Sequence, residues 1–238
     1  MTEGTTGPSP TYRQRRPSGA AMRFDDAEPL TVVMVRHGET AMTQDKALSG
    51  SSEPGPPLAP AGLEQARRAA EAVAAIGETL WPDVPAPSSV VASPMVRTQQ
   101  TAGVIGERLG LPVATDPAFA ECDFGEWQGR APADLERDWP GELERWYGAE
   151  GRAPGGESLH DVGARVTAGI DGLLGAGTAR TVVVVSHVMA IRAAVGVSLG
   201  TPTTSWTRLR VLPGSLTVLQ WWPDGVRELV TAGLPTDR

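Results

Sequence analysis

The sequence predicts a three-layer α/β fold, in which a mostly parallel central sheet carries helices on both faces and ends in an antiparallel hairpin. Short apolar runs alternate with helical patterns, and a turn separates two apolar segments near the C-terminus. The 238 residues, 40% of them hydrophobic, are enough for one substantial core. We therefore expect a single folded domain over residues 30–238.

The strand candidates are runs whose two alternating faces are both apolar. They cover residues 30–35, 89–92 and 181–185. Such runs are typical of a parallel sheet that is covered on both sides. Near the C-terminus, residues 215–222 and 226–230 flank Asp224 and Gly225, a pair that favours a hairpin turn.

Helices are predicted where apolar residues recur at steps of three and four. The clearest pattern joins Leu63, Ala66, Ala70, Val73 and Ile76. A second pattern spans residues 162–173, and further helices are expected over residues 96–109 and from 188 to about 199. Because strands and helices alternate along the chain, a layered α/β arrangement follows.

Residues 1–29 differ in composition from the rest of the chain. They are rich in Thr, Ser, Gly and Pro and show no apolar period, which predicts a disordered leader. No apolar run approaches the roughly 20 residues of a membrane-spanning helix, and no apolar stretch of signal-peptide type follows the start. We therefore expect no membrane partner.

Charge and cysteine content argue against some partners and indicate a cellular compartment. The formal net charge of −7 lacks the basic footprint of a nucleic-acid binder. A single cysteine, Cys122, excludes an internal disulfide, and three histidines argue against a His-rich metal centre. These features favour a cytoplasmic protein without metal. They do not disclose the oligomeric state, and a homodimer stays among the alternatives.

Basic residues follow the three predicted strands. Arg36 and His37 follow the first, Arg97 lies beyond the second, and His187 follows the third. Because open α/β sheets bind ligands beyond the carboxyl ends of their strands, these side chains are expected to meet in a small anion pocket, with phosphate as the expected ligand. One such residue alone would be a solvated charge or a structural hydrogen-bonder, and we expect a solvated role for His160. Basic residues at the ends of three separate strands favour a functional site instead.

Five ordered segments carry a family resemblance. They are R-H-G-E-T at 36–40, S-x-x-x-R-x-x-Q-T-A at 93–102, E-x-D-F-G-x-W-x-G at 121–129, P-G-G-E-S at 154–158 and S-H at 186–187. In this order they resemble the histidine phosphatase superfamily, over residues 31 to about 230. The resemblance implies a phosphoglycerate-mutase-like fold.

The resemblance also implies a mechanism. His37 would attack phosphorus and become phosphohistidine, without metal or cofactor. Arg36, Arg97 and a protonated His187 would hold the phosphoryl oxygens. Glu121 matches the family's general acid, which protonates the leaving group and then activates water.

Several assignments near this centre stay open. Glu126 competes with Glu121 for the acid role, and Ser186 either lends a hydroxyl or begins a helix. Thr40 either bonds the phosphoryl oxygens or caps a turn. Cys122 is expected to be a small buried filler without a redox role. The full set of expected substrate and phosphate contacts is Arg36, Arg97, His187, Thr40, Thr43, Ser49, Gly50 and Val188.

The segment at residues 127–157 is rich in aromatic residues and arginines. It is expected to form a lid over the substrate. The alternative is a set of helices that pack their aromatic residues on the sheet edge, and we expect this to explain Trp139.

Two departures from the family pattern bear on the substrate. Thr43 stands where Asn is frequent, and Val188-Met189 stands where Gly-Gly is frequent. Both changes leave the reaction intact but narrow the pocket or favour an apolar leaving group. The sequence predicts a metal-independent phosphomonoesterase that hydrolyses a small phosphorylated metabolite. The alternatives are a cofactor-dependent phosphoglycerate mutase, a phosphohistidine protein phosphatase and a non-catalytic phosphate-binding module.

Overall fold

A computed structural model describes residues 27–237, which contain one six-stranded sheet. Its strands are β1 (Leu30–Arg36), β2 (Pro87–Ala92), β3 (Val113–Thr115), β4 (Arg180–Ser186), β5 (Leu216–Trp221) and β6 (Arg227–Leu234). Their order in the sheet is β3-β2-β4-β1-β5-β6. The first four strands of that order are parallel, whereas β5 and β6 pair antiparallel.

Helices connect these strands. They are α1 (Ala41–Gln44), α2 (Pro60–Ala74), α3 (Val96–Leu109), α4 (Pro132–Asp138), α5 (Glu142–Tyr147), α6 (Leu159–Gly175) and α7 (Val188–Ser198). Short 3-10 turns lie at Pro117–Phe119, Gly125–Trp127 and Thr203–Arg208.

Both faces of the central strands are buried. Alternation along β1 sends Val32 and Met34 to the core under α6 and α7, and Val33 and Val35 to the core under α2 and α3. The strand β4 divides its valines between the same two cores. The predicted three-layer fold and C-terminal hairpin are therefore confirmed.

The register of the sheet brings the site residues together. In the parallel pair of β1 and β4, Arg36 lies opposite Ser186, so His37 and His187 follow adjacent strand ends. The backbone N–H of His37 donates to the Ser186 carbonyl at 3.0 Å. On the other side of β4, β2 leads into α3, which carries Arg97 in its first turn.

Some features differ from the expectations. The strand β3 is only three residues long and mostly exposed, and it lacks the apolar run that marks the other parallel strands. Residues 1–26 of the predicted leader lie outside the described residues. The carbonyls of Ala27 and Pro29, which the predicted leader includes, accept hydrogen bonds from the indole of Trp222 and the backbone of Ala179. Within residues 27–237, each helix is too short or too polar to cross a membrane.

Candidate active site

A cavity of about 230 Å³ lies beyond the ends of β1 and β4. Eight of the expected site residues line it: Arg36, His37, Thr40, Thr43, Ser49, Arg97, Glu121 and Val188. The other two lie directly behind this wall. The carbonyl of Gly50 accepts from Arg97 at 3.3 Å, and the ring of His187 packs edge-on against His37 with centroids 5.0 Å apart.

The hydrogen bonds of His37 select one tautomer. Its Nδ1 lies 2.7 Å from the carbonyl oxygen of Gly38, so Nδ1 carries the proton. Its Nε2 accepts from Nε of Arg97 at 3.3 Å and therefore holds a lone pair. Burial, reinforced by Arg97 and Arg36, lowers the pKa of His37 well below 6.5. The neutral, nucleophilic form is thus favoured near neutral pH.

His187 is also buried, and its environment departs from the expected protonated state. Its Nε2 lies 2.8 Å from the hydroxyl of Ser93. Burial, together with Arg97, His37 and Arg36, lowers the pKa of His187 well below 6.5. The folded protein therefore favours a neutral His187, because desolvation and neighbouring cations oppose a further positive charge.

The two arginines are held by backbone carbonyls. Nη2 of Arg97 donates to Ser49 at 2.9 Å, and Nη1 of Arg36 donates to Val211 at 2.7 Å. Burial lowers the pKa of Arg36 to about 10 and also lowers that of Arg97. Both side chains are still cations at neutral pH, so the cavity has a fixed positive wall.

Glu121 lines the same cavity as these cations and is 6% exposed. Its Oε1 accepts from the backbone N–H groups of Cys122 and Met189, both at 3.0 Å. Its Oε2 has no hydrogen bond to the described residues. Burial raises the pKa of Glu121 although these N–H groups and the arginines oppose the shift. A proton on Oε2 is therefore retained to higher pH than on an exposed carboxyl.

Several buried polar atoms at this site lack a partner within residues 27–237. Among the buried polar atoms that lack a partner are Nε of Arg36, Oγ of Ser49, Nη1 of Arg97 and Nδ1 of His187. Buried polar groups are normally paired, so unpaired polar atoms that include N–H groups of two arginines favour a ligand with several acceptor oxygens. A phosphoryl group has this character.

The hydroxyls of Thr40 and Ser186 both make hydrogen bonds within the protein, and Ser186 does not begin a helix, because it is the last residue of β4 and α7 starts at Val188. The hydroxyl of Thr40 caps α1 by accepting from the backbone N–H of Thr43, and the Thr43 hydroxyl completes this capping box. The hydroxyl of Ser186 donates to the carbonyl of Phe119 at 2.7 Å. It fastens the segment that leads to Glu121.

Three other residues lie where a structural role suits them. Glu126 is exposed and does not line the cavity, so Glu121 alone of the two acids reaches it. His160 is exposed on α6. Cys122 is fully buried in the apolar core, and burial raises the pKa of its thiol.

The segment at residues 127–157 forms one wall of the cavity. Leu143, Trp146 and Tyr147 line it from α5. Trp146 is buried against Phe124 and Trp127, with ring centroids 5.6 and 6.4 Å away. Trp139 instead packs on the edge of the core, where the guanidinium of Arg130 covers its ring.

Two cations of the cavity were missed by sequence reasoning. Lys46 and Arg192 both line it. Arg192 donates to the carbonyl of Leu209 at 2.8 Å and has no ion pair within the described residues. Helix spacing carried the signal, since Arg192 lies four residues after Val188 and therefore on the same face of α7. Among residues 27–237, no three His, Cys, Asp or Glu side chains cluster in a way that could hold a metal ion.

Comparisons with known proteins identify the family. The sequence profile of the histidine phosphatase superfamily (branch 1) matches residues 32–232. A bifunctional protein of Mycobacterium tuberculosis (strain ATCC 25618 / H37Rv) is 32% identical over 83% of this chain and 52% of its own length. The chain thus spans about half the length of that relative. A probable phosphoglycerate mutase of Enterobacter sp. (strain 638) is 33% identical over 76% of this chain and 80% of its own.

Solved structures give the same result. A mycobacterial glucosyl-3-phosphoglycerate phosphatase in complex with VO3 superposes with a TM-score of 0.74 and 30% identity, over 86% of this chain and 99% of that chain. A structure described as mycobacterial hydrolase 1 superposes with a TM-score of 0.76 and 29% identity, over 87% of this chain and 99% of that one. This chain therefore belongs to the histidine phosphatase superfamily.

Proposed function

We propose that this protein hydrolyses phosphate monoesters of a small metabolite through a phosphohistidine on His37, without a metal ion. The geometry of His37 is the observation that carries the proposal. Its Nδ1–H is held by a carbonyl and its Nε2 lone pair lies on the cavity wall beside Arg97. A neutral imidazole with a fixed tautomer and adjacent cations suits nucleophilic attack on a phosphoryl group.

In the first step, Nε2 of His37 forms a bond to phosphorus while the bond from phosphorus to the ester oxygen breaks. Arg36 and Arg97 neutralise charge on the non-bridging oxygens. The proton on Glu121 passes to the departing alkoxide, which leaves as the alcohol.

In the second step, the carboxylate of Glu121 accepts a proton from water as that water attacks phosphohistidine. The bond from Nε2 to phosphorus breaks, inorganic phosphate leaves, and Glu121 is protonated again. The same carboxyl thus serves as acid and base, which requires the raised pKa that its burial produces.

The cavity walls also favour a class of alcohol. Met42, Leu143 and Trp146 are apolar or aromatic, whereas Lys46 and Arg192 add positive charge beyond the phosphoryl clamp. We therefore propose an ester whose alcohol half carries an apolar or ring-shaped portion and a further anionic group. The likeness to the glucosyl-3-phosphoglycerate phosphatase supports this class.

The test is phosphate release from a panel of phosphate esters with EDTA present, for the wild type, His37→Ala and His160→Ala. We expect EDTA-resistant turnover that falls by several orders of magnitude in His37→Ala, each order being about 1.4 kcal/mol of barrier. The exposed His160 serves as the matched histidine control and should behave as wild type. Turnover that EDTA abolishes, or that survives in His37→Ala, would refute the mechanism.

A mutase is the second candidate, because a relative described as a probable phosphoglycerate mutase is 33% identical to this chain. A mutase returns the phosphoryl group to a second hydroxyl instead of to water. Isomerisation of 3-phosphoglycerate that depends on bisphosphoglycerate, with little release of phosphate, would favour this candidate over hydrolysis.

A further inference from the structure

The segment that carries Glu121 is bound by one side chain from α6. Nη1 of Arg165 donates to the carbonyls of Ala118 and Ala120 at 3.0 and 3.1 Å, and its Nη2 donates to the carbonyl of Glu121 at 3.2 Å. One guanidinium therefore fixes the path of the backbone that leads to the general acid.

Glu157 completes this arrangement. Its two carboxylate oxygens accept from Nε and Nη2 of Arg165 at 3.0 and 2.8 Å. The same carboxylate accepts from the backbone N–H of Asp123 at 2.9 Å, and the Glu157 carbonyl accepts from the indole of Trp146 at 3.0 Å. Glu157 belongs to the P-G-G-E-S segment, to which the sequence assigned no role.

We propose that Arg165 and Glu157 are positioning residues for Glu121. The pair holds the backbone on both sides of the acid, from Ala118 to Asp123, and ties it to the cavity wall at Trp146. Both side chains are about one-fifth exposed, so the pair is partly shielded from solvent. The planar guanidinium of Arg165 binds a carboxylate bidentately and several carbonyls at the same time. A lysine ammonium cannot make this set of hydrogen bonds. This inference rests on the proposed function.

The consequence is specific to the leaving group. A general acid works only within hydrogen-bond reach of its oxygen, and a shift of about 1 Å can cost on the order of 100-fold. p-Nitrophenolate leaves without much help from an acid, whereas an alkoxide needs the proton. Loss of positioning therefore penalises alkyl esters more than aryl esters, whereas partial unfolding lowers both by one factor.

The experiment compares kcat/KM for glycerol 2-phosphate and p-nitrophenyl phosphate in the wild type, Arg165→Lys and Arg180→Lys. Arg180 is the matched control, because it is half-buried and donates to the carbonyls of Leu173 and Gly177 at the opposite end of the sheet. For Arg165→Lys we expect a loss of about 10- to 100-fold with the alkyl ester and less than about threefold with the aryl ester. For Arg180→Lys we expect the ratio between the two esters to equal that of the wild type.

Further variants make the result decisive. If Arg165 acts through Glu121, adding Arg165→Lys to Glu121→Gln lowers alkyl-ester turnover no further. Glu157→Gln retains an acceptor for Asp123 but removes the charge, and should show the same preference to a smaller degree. If Arg165→Lys does not fold, the comparison of the two esters is made with Glu157→Gln instead.

Equal losses on both esters, or a further multiplicative loss in the double variant, would overturn the positioning role. Failure of the proposed function gives a different pattern. In that case the wild type releases phosphate from neither ester, or Glu121→Gln itself shows no dependence on the leaving group, and the positioning role falls with it.

Discussion

Gly55 limits the position of Arg97, and replacing it by alanine tests how closely the phosphoryl clamp is placed. Gly55 has a φ of +76°, and a Cβ added there would lie 2.3 Å from Nη1 of Arg97. Real Cβ atoms essentially never come closer than 3.0 Å, so one of the two groups must move by about 0.7 Å.

Neither group is free to retreat. Nη2 and Nε of Arg97 are bound to the carbonyl of Ser49 and to His37, at 2.9 and 3.3 Å. The loop that carries Gly55 is fastened by the Pro54 carbonyl, which accepts from the backbone N–H of Val96 at 2.9 Å. Gly55→Ala should therefore displace the guanidinium and lower kcat/KM by about 10- to 100-fold.

Gly110→Ala is the matched control for backbone strain. Gly110 has a φ of +67° and no atom within 4 Å of an added Cβ. Each variant should lose on the order of 1 kcal/mol of stability from the left-handed backbone, which lowers the Tm by about 2–4 °C in a chain of this size. The assay is kcat/KM on p-nitrophenyl phosphate with Tm by circular dichroism. Equal activity of Gly55→Ala and Gly110→Ala would refute the reasoning.

Two further predictions concern pH. The pKa of His37 lies well below 6.5 in the folded protein, so at acidic pH the unfolded chain binds a proton there that the folded chain does not. The free energy of unfolding should therefore fall as the pH drops below about 6.5. Urea titrations should show a shallower fall in His37→Gln. Because burial raises the pKa of Glu121, turnover of alkyl esters should fall as pH rises through that raised pKa, and an unchanged alkaline limb in Glu121→Gln would contradict the acid role.

The residues of the site that sequence alone located are those that follow strands. Continuous apolar runs predict a buried parallel sheet, and the carboxyl ends of parallel strands lie at one edge. Arg36, His37 and His187 could therefore be placed together without coordinates. Glu121 follows no predicted strand, and only the resemblance to the histidine phosphatase superfamily indicated it.

Tertiary structure decided the features that depend on packing between distant segments. Arg165 and Gly55 have no local pattern that marks them, because their partners at Glu121 and Arg97 lie 44 and 42 residues away along the chain. No local pattern indicates the lowered pKa of His187 either, because it results from burial and from arginines on other elements. Local sequence determines which groups are available and which faces are buried. Only the packed chain sets the distances, the desolvation and the neighbouring charges on which reactivity depends.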